Sequence, residues 1–171
     1  VYWFEIEAMG HIGHGSMPFL GTSAIEHMGA VIDTMRRELL PTFAQRTTAA
    51  PVVPPGARQA TLNINALHGG QPLGDIQSPC VADRCTAVFD RRFLIEEGFE
   101  DVRGEIVSLL DGIKDEIPEF KWNLKDLMVV HPTRTPDDAS VVKALGTAIS
   151  RVLGRDATLV ASPGTYDHKH V

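Results

Sequence analysis

The chain opens on a clean alternation. Tyr2, Phe4, Ile6 and Ala8 fall on one side and Glu5 and Glu7 on the other, which is the period of a half-buried strand. A thin loop from Gly10 to Pro18 follows. Ser23 with Glu26 three residues on then forms a reciprocal capping box, and Ile25, Met28, Val31, Ile32, Met35 and Leu39 repeat at helical spacing. Pro41 and the run Pro51-Val-Val-Pro-Pro-Gly56 cannot continue a helix, so residues 41–57 read as a surface connection. Alternation returns over 59–67, with Ala60, Leu62, Ile64 and Ala66 inward. After a turn from Gly69 to Pro79, a third strand is expected from about Val81 to Phe93, with Cys85, Ala87 and Phe89 on one face and Val88, Asp90 and Arg92 on the other. A second helix begins near Glu96 and carries Phe99, Val102, Ile106, Leu109, Leu110 and Ile113 at its inward positions. Pro118 ends it, and Phe120, Trp122 and Leu124 open a fourth strand through about Val130.

Strand, helix, strand, strand, helix, strand is the βαββαβ order of an α+β, ferredoxin-like two-layer sandwich, in which two helices cover one face of a four-stranded antiparallel sheet. The pattern then changes. Thr135-Pro136-Asp137-Asp138 supplies a cap, a proline for the first helical position and two acids for the first turn. A third helix should bury Val141, Val142, Leu145, Ile149, Val152 and Leu153, and Ala157 to Ala161 should add a short apolar strand. These elements fall outside a closed βαββαβ unit. The expected division is therefore residues 1–131 as one domain and residues 132–171 as the incomplete start of another.

Composition narrows the function. The 171 residues are 43% hydrophobic and 22% charged, with 16 Lys and Arg against 22 Asp and Glu. A net charge of -6 without a basic stripe argues against nucleic acid. No apolar run approaches the roughly 20 residues that span a bilayer, and the first residues lack the basic start and apolar centre of a secretory signal. No membrane partner and a cytoplasmic location are the expectations. Cys80 and Cys85, five apart in one extended segment, would lie about 16 Å from each other, too far to bridge. With no initiator Met and a strand already under way, the chain reads as a piece of something longer.

Several residues could carry chemistry. The glycine-flanked His14 could be projected away from its own domain by a loop that glycines make thin, although a solvated loop histidine is the simpler reading. His11 and His14 lack a third ligand nearby in sequence. Arg92 could take a carboxylate bidentately, or merely pair with Asp90 on the same strand face. Glu96 and Glu97 look like dipole complements in a first helical turn rather than a catalytic pair. Gly164-Thr165-Tyr166-Asp167 places a flexible glycine, a hydroxyl, a phenol and a carboxylate just past a short strand, where ligand sites of open sheets often lie. His168 and His170 could add metal ligands, or belong to a loose tail.

Taken in order, these residues resemble a known pattern. Gly10-His-Ile-Gly-His14-Gly-Ser-Met-Pro18, Gly21-Thr-Ser-Ala-Ile25, Leu62-Asn-Ile-Asn-Ala-Leu-His-Gly-Gly70, Asp83-Arg-Cys85 leading to Phe89-Asp-Arg-Arg92, and Gly164-Thr-Tyr-Asp167 are similar to the insert domain of the two-zinc amidohydrolases. That family includes acetylornithine deacetylase, succinyl-diaminopimelate desuccinylase, glutamate carboxypeptidase and aminoacylase. The resemblance runs over essentially the whole chain.

The resemblance implies a lid and dimerisation domain set into a zinc-bearing catalytic domain, with the chain returning to the latter after about residue 131. It implies a homodimer in which His14 reaches the partner's active site and donates a hydrogen bond to the developing oxyanion of the scissile amide. Arg92 matches the arginine that holds the substrate carboxylate, Gly164 and Thr165 match a loop lining the same pocket, and Asp167 matches the motif without an assigned role. The substrate would be an N-acyl amino acid or a peptide. Where the family usually has Asn-Val-Ile-Pro, this chain has Pro79-Cys-Val-Ala82, so the substrate-contacting asparagine is missing. The family's zinc ligands and paired-glutamate base also lie outside these residues. The parent enzyme is expected to hold two zinc ions, and this segment alone none. The rival reading is a free-standing ferredoxin-like module that binds a small ligand and catalyses nothing.

Overall fold

The computed structural model describes residues 1–72, 74 and 78–166. Strand β1 (Tyr2–Met9) lies inside a sheet of order β2-β3-β1-β4. It pairs antiparallel with β3 (Arg84–Arg92) on one side and with β4 (Lys121–Val129) on the other, and β2 (Thr61–Gly69) pairs antiparallel with β3 at the edge. Helix α1 (Ala24–Thr34) continues through a π turn, Met35–Leu39, into α2 (Leu40–Phe43). Together with α3 (Phe99–Glu116) it covers one face of the sheet. The expected α+β ferredoxin-like sandwich is what the chain forms. No helix among the described residues is long and apolar enough to cross a membrane.

The core lies where the alternation of β1 places it. Tyr2, Phe4, Ile6 and Ala8 are fully buried, as are Ala87 and Phe89 of β3, beneath Met28 and Val31 of α1 and Ile106 and Leu110 of α3. Phe4 stacks on Phe89 with ring centroids 5.0 Å apart, and on Tyr2 at 4.8 Å. Each such ring removed from water stabilises the fold by roughly 1.5–3 kcal/mol. The Ser23 hydroxyl accepts from the Glu26 N–H at 3.2 Å, which is the expected cap. His27, absent from the predicted stripe, is buried edge-on against Phe120.

Five expectations need correction. Pro41 does not stop the first helix. The preceding π turn sends the Leu40 N–H to the Met35 carbonyl, and the widened turn relieves the clash that a proline ring makes with the carbonyl one α-turn back. The alternation of β2 breaks at a bulge between Ile64 and Ala66, so that Leu67, and not Ala66, lies across from buried Ala87. Strand β3 begins at Arg84, because Val81 instead donates to Gly13 of the loop after β1. Helix α3 begins at Phe99, so its first-turn acids are Glu100 and Asp101 rather than Glu96 and Glu97.

The last correction concerns the C-terminal part. Helix α4 (Ser140–Leu153) starts later than the Thr135-Pro136 signal, and none of its residues is buried. Val141, Leu145, Val152 and Leu153 are each more than half exposed. Its amphipathic pattern is real, but among the described residues of the expected stripe only Val142 and Ile149 are half-buried and the rest stay exposed. Likewise Ala157 to Ala161 forms no strand, only one parallel bridge between Ala161 and Val52.

Two outcomes follow from the core. Phe4→Ala should destabilise the chain by about 3–5 kcal/mol, read as a lower urea midpoint with an unchanged slope. The Tyr2 hydroxyl donates to the Asp126 carboxylate, which Arg103 also holds at 3.0 Å, and burial followed by that anionic acceptor raises the Tyr2 pKa well above the ordinary value. The unfolded chain therefore loses this proton first, and stability should fall as pH rises beyond about 10. Tyr2→Phe should remove that part of the alkaline slope in pH-dependent denaturation.

Candidate functional site

The loop after β1 is laced to its neighbours by backbone. His11 and Thr22 exchange N–H to O bonds of 2.9 and 2.8 Å, Gly10 donates to Asp83 at 2.8 Å, and Ala24 donates to Ala82 at 2.8 Å. Such closeness demands missing side chains: a Cβ on Gly10 would meet the Thr22 oxygen at 2.0 Å, and one on Gly13 would meet the Gly21 backbone at 2.9 Å. The glycines around His14 serve close approach, since none of them has positive φ.

His14 itself is exposed. The Ser16 backbone N–H donates to its Nδ1 at 3.2 Å, and the Ser16 hydroxyl lies 2.7 Å from the same atom. A backbone N–H can only donate, so Nδ1 carries the lone pair and the ring proton of the neutral imidazole sits on Nε2. The loop thus presents an outward N–H donor. Across from His14 stands Cys80: Gly15 donates to Pro79 at 2.6 Å and Val81 to Gly13 at 2.7 Å. This is the pattern of a non-hydrogen-bonded antiparallel pair, whose Cα atoms lie about 4.5 Å apart with side chains on one face.

Arg92 lies at the other end of the sheet. It lines a cleft of about 560 Å³ together with Phe93, Leu94, Thr133, Gly164 and Thr165. Its Nε and Nη2 each donate to Asp90 at 2.7 Å, so the ion pair expected from spacing is formed, with the arginine side chain 36% exposed. A carboxylate entering the cleft would meet the remaining Nη1 side. The Ser162 hydroxyl donates to the Tyr166 oxygen at 2.8 Å and accepts from the Gly164 N–H at 3.2 Å, which holds the 162–166 turn.

The structure brings Arg92, Gly164 and Thr165 together and leaves His14 apart. Tyr2 pairs with Arg91 and Met9 with Arg84, so the eight residues of β1, roughly 27 Å, separate the imidazole loop from the cleft. No group of three His, Cys, Asp or Glu among the described residues could hold a metal ion, and His11 sits in a backbone bridge with Thr22. Asp167, His168 and His170 lie outside the described residues.

Sequence reasoning missed a buried ionic cluster beneath Arg92. Arg91 is fully buried on the helix-covered face, with its guanidinium 4.2 Å from the Phe43 ring centroid. It donates to Glu97 at 2.7 Å and to the Arg92 carbonyl at 2.6 Å. Glu97 also accepts from the Leu94 N–H at 2.6 Å and from Arg46 at 3.3 Å, and Arg46 pairs with Glu105 at 2.5 Å. Burial pulls the Arg91 pKa below the ordinary arginine value, against the pull of Glu97. Glu96, the neighbouring acid, accepts instead from the Thr48 hydroxyl at 2.9 Å and the Ala49 N–H at 3.1 Å. Burial raises its pKa, but these donors outweigh that and hold it below the usual carboxylate value. The strict alternation of β3 put Arg91 on the inner face, and that was the one available signal.

Comparison with known proteins gives the arrangement a context. Residues 1–118 match the family model described as the peptidase dimerisation domain. The succinyl-diaminopimelate desuccinylase of Marinobacter nauticus is 25% identical over 159 residues, which cover 93% of this chain and 37% of that protein. Among solved structures, a di-peptidase from Saccharomyces cerevisiae superimposes with a TM-score of 0.73 at 10% identity, over 96% of this chain and 43% of its own. A metallo-carboxypeptidase of the M20 family from Sulfolobus solfataricus gives 0.71 at 15% identity, over 96% and 46%. These two likenesses show the fold. The chain thus spans less than half the length of each of these relatives.

The two thiols should differ in reactivity. Cys85 is buried, and burial raises its pKa, whereas Cys80 is partly open beside His14. A thiol-specific reagent under native conditions should label Cys80 first and leave Cys85 intact until unfolding, as peptide mass mapping would read.

Proposed function

The chain belongs to the peptidase dimerisation domain family, and from that premise we propose that it is the lid and dimerisation segment of a zinc-dependent hydrolase cleaving the amide bond of an N-acyl amino acid or a peptide. In this reading residues 1–131 are the lid and residues 132–171 begin the returning catalytic domain. The enzyme is a homodimer, since strands β2 and β4 leave sheet edges that a symmetry mate can cover. Its location is the cytoplasm, where two unbridged thiols fit a reducing compartment.

The single observation that carries the reading is the separation of the donor from the cleft. His14 offers an Nε2–H from an exposed loop, while Arg92, Gly164 and Thr165 line a cleft at the opposite end of the sheet. One protomer cannot combine them, but two copies can, each giving its imidazole to the other's cleft. When a nucleophile attacks the amide carbonyl, charge grows on the oxygen, and a fixed N–H aimed at that position is worth a few kcal/mol of barrier. Arg92 receives the substrate's carboxylate, and Gly164 and Thr165 shape the wall beside it. Zinc would polarise the carbonyl and activate water in the whole enzyme. The described residues do not offer it a ligand set, so the chain by itself turns nothing over in this reading, and no step here passes through the metal. The rival, a non-catalytic small-ligand module, has only the bare fold in its favour.

In the whole enzyme, His14→Ala should lower turnover by roughly 10²–10³, and Arg92→Ala should chiefly raise KM. Mixed dimers test the crossing. Each variant alone is impaired, but a dimer of one His14→Ala subunit and one Arg92→Ala subunit keeps one of its two sites intact, and since equal mixing makes about half of the dimers mixed, it should restore about a quarter of the activity at low substrate. Activity that stays at the level of the separate variants would end the exchange of imidazoles.

A further inference from the structure

The Arg91–Glu97 pair sits in the apolar layer, where charge is poorly tolerated. The other fully buried positions on that face of β1 and β3 are Tyr2, Phe4, Ile6, Ala8, Cys85, Ala87 and Phe89. A buried ion pair costs desolvation on both partners, and well-packed apolar residues of similar volume would often be as stable. The cluster is not even fully satisfied: Arg91 Nε and Glu105 Oε2 are buried with no partner among the described residues.

What the pair does achieve is local. Arg91 Nη1 ends on the Arg92 carbonyl at 2.6 Å, and Glu97 Oε2 ends on the Leu94 N–H at 2.6 Å. Between them the two side chains grip both ends of the 92–94 backbone just as it leaves β3, and those residues form a wall of the cleft. Arg46, held by Glu97 and Glu105 and by the Thr42 hydroxyl at 3.2 Å, ties the same carboxylate to α2 and α3. Arg92 is the last ladder residue of β3, opposite Thr61, and Phe93 and Leu94 beyond it have no ladder partner, so this grip takes over where the sheet ends.

We infer that Arg91 and Glu97 are positioning residues, a buried clamp that fixes the 92–94 wall and so presents the Arg92 guanidinium to the substrate's carboxylate. The inference rests on the reading of Arg92 as the carboxylate-binding arginine. It adds that the geometry of that site is set from inside the two-layer core, by charge placed behind the wall rather than in it.

Three variants test it, with hydrogen exchange on this chain and steady-state kinetics on the whole enzyme. Arg91→Met and Glu97→Gln each remove one half of the clamp. The double substitution leaves no unpaired buried charge, and so keeps a folded protein in hand if a single variant unfolds. The expected result is exchange of the Leu94 amide about tenfold faster or more with that of Ile6 unchanged, and KM raised about tenfold with kcat held within about twofold. Ile106→Val, a core change remote from the clamp, should leave both readings as in the unmodified protein. An unchanged Leu94 amide, or a KM that stays put in a folded variant while Arg92→Ala raises it, would overturn the clamp alone. A KM unmoved by Arg92→Ala would remove the carboxylate reading and the clamp's purpose with it.

Discussion

An extended strand is stiff, and β1 is paired on both sides along its whole length. Its inward residues are all fully buried, so the sheet cannot fold back to bring its two ends together without giving up the stacked rings of Tyr2, Phe4 and Phe89. Every residue with chemical promise lies past one of those ends. The imidazole loop leaves from Met9, and the Arg92 cleft gathers around the start of β1 and the exit of β3. The proposed exchange of imidazoles between two copies is the arrangement that would let both ends serve one site.

The two ends are built by opposite means. Around His14 the chain relies on absence: glycines at 10, 13 and 21 let backbones touch, and main-chain hydrogen bonds, rather than packed side chains, set the loop's path. Around Arg92 it relies on charge, with two arginines and two glutamates buried or half-buried between α2, β3 and α3. A loop of the first kind can present one side chain with little bulk. A wall of the second kind is held in a single position, because moving it would strand ionised groups in a low-dielectric interior.

Much of this was legible in the residues. Where one face of a strand is fully covered and the other is not, as in β1 and β3, alternation reads directly, and Ser23 caps the Glu26 N–H as the first half of the expected box. Failures occurred where a local rule met a longer-range accommodation. A π turn absorbed Pro41, a bulge at the sheet edge switched the face of Leu67, and the apolar stripe of α4 stays mostly exposed among the described residues. At the candidate sites, glycine spacing foretold the close backbone approach around His14, and the Asp90–Arg92 interval foretold the ion pair that forms. The pairing of Arg91 with Glu97 could not be foreseen, since it depends on a six-residue turn bringing a strand's inner face to meet a carboxylate that the helical pattern had assigned to α3. His27 was passed over for a similar reason, because its burial depends on Phe120, over ninety residues away.

The Val1 nitrogen donates to the Val130 carbonyl at 2.6 Å, and the Val130 nitrogen returns the bond to Val1 at 2.8 Å. Residues 1 and 130 are therefore side by side, so the path through the two-layer body starts and finishes at one place, one strand pair wide. Two antiparallel segments joined in this way bend readily out of their common plane and resist shearing along it. In the proposed lid, that narrow strap would be the point of turning, with the far edge, where His14 sits, sweeping the widest arc.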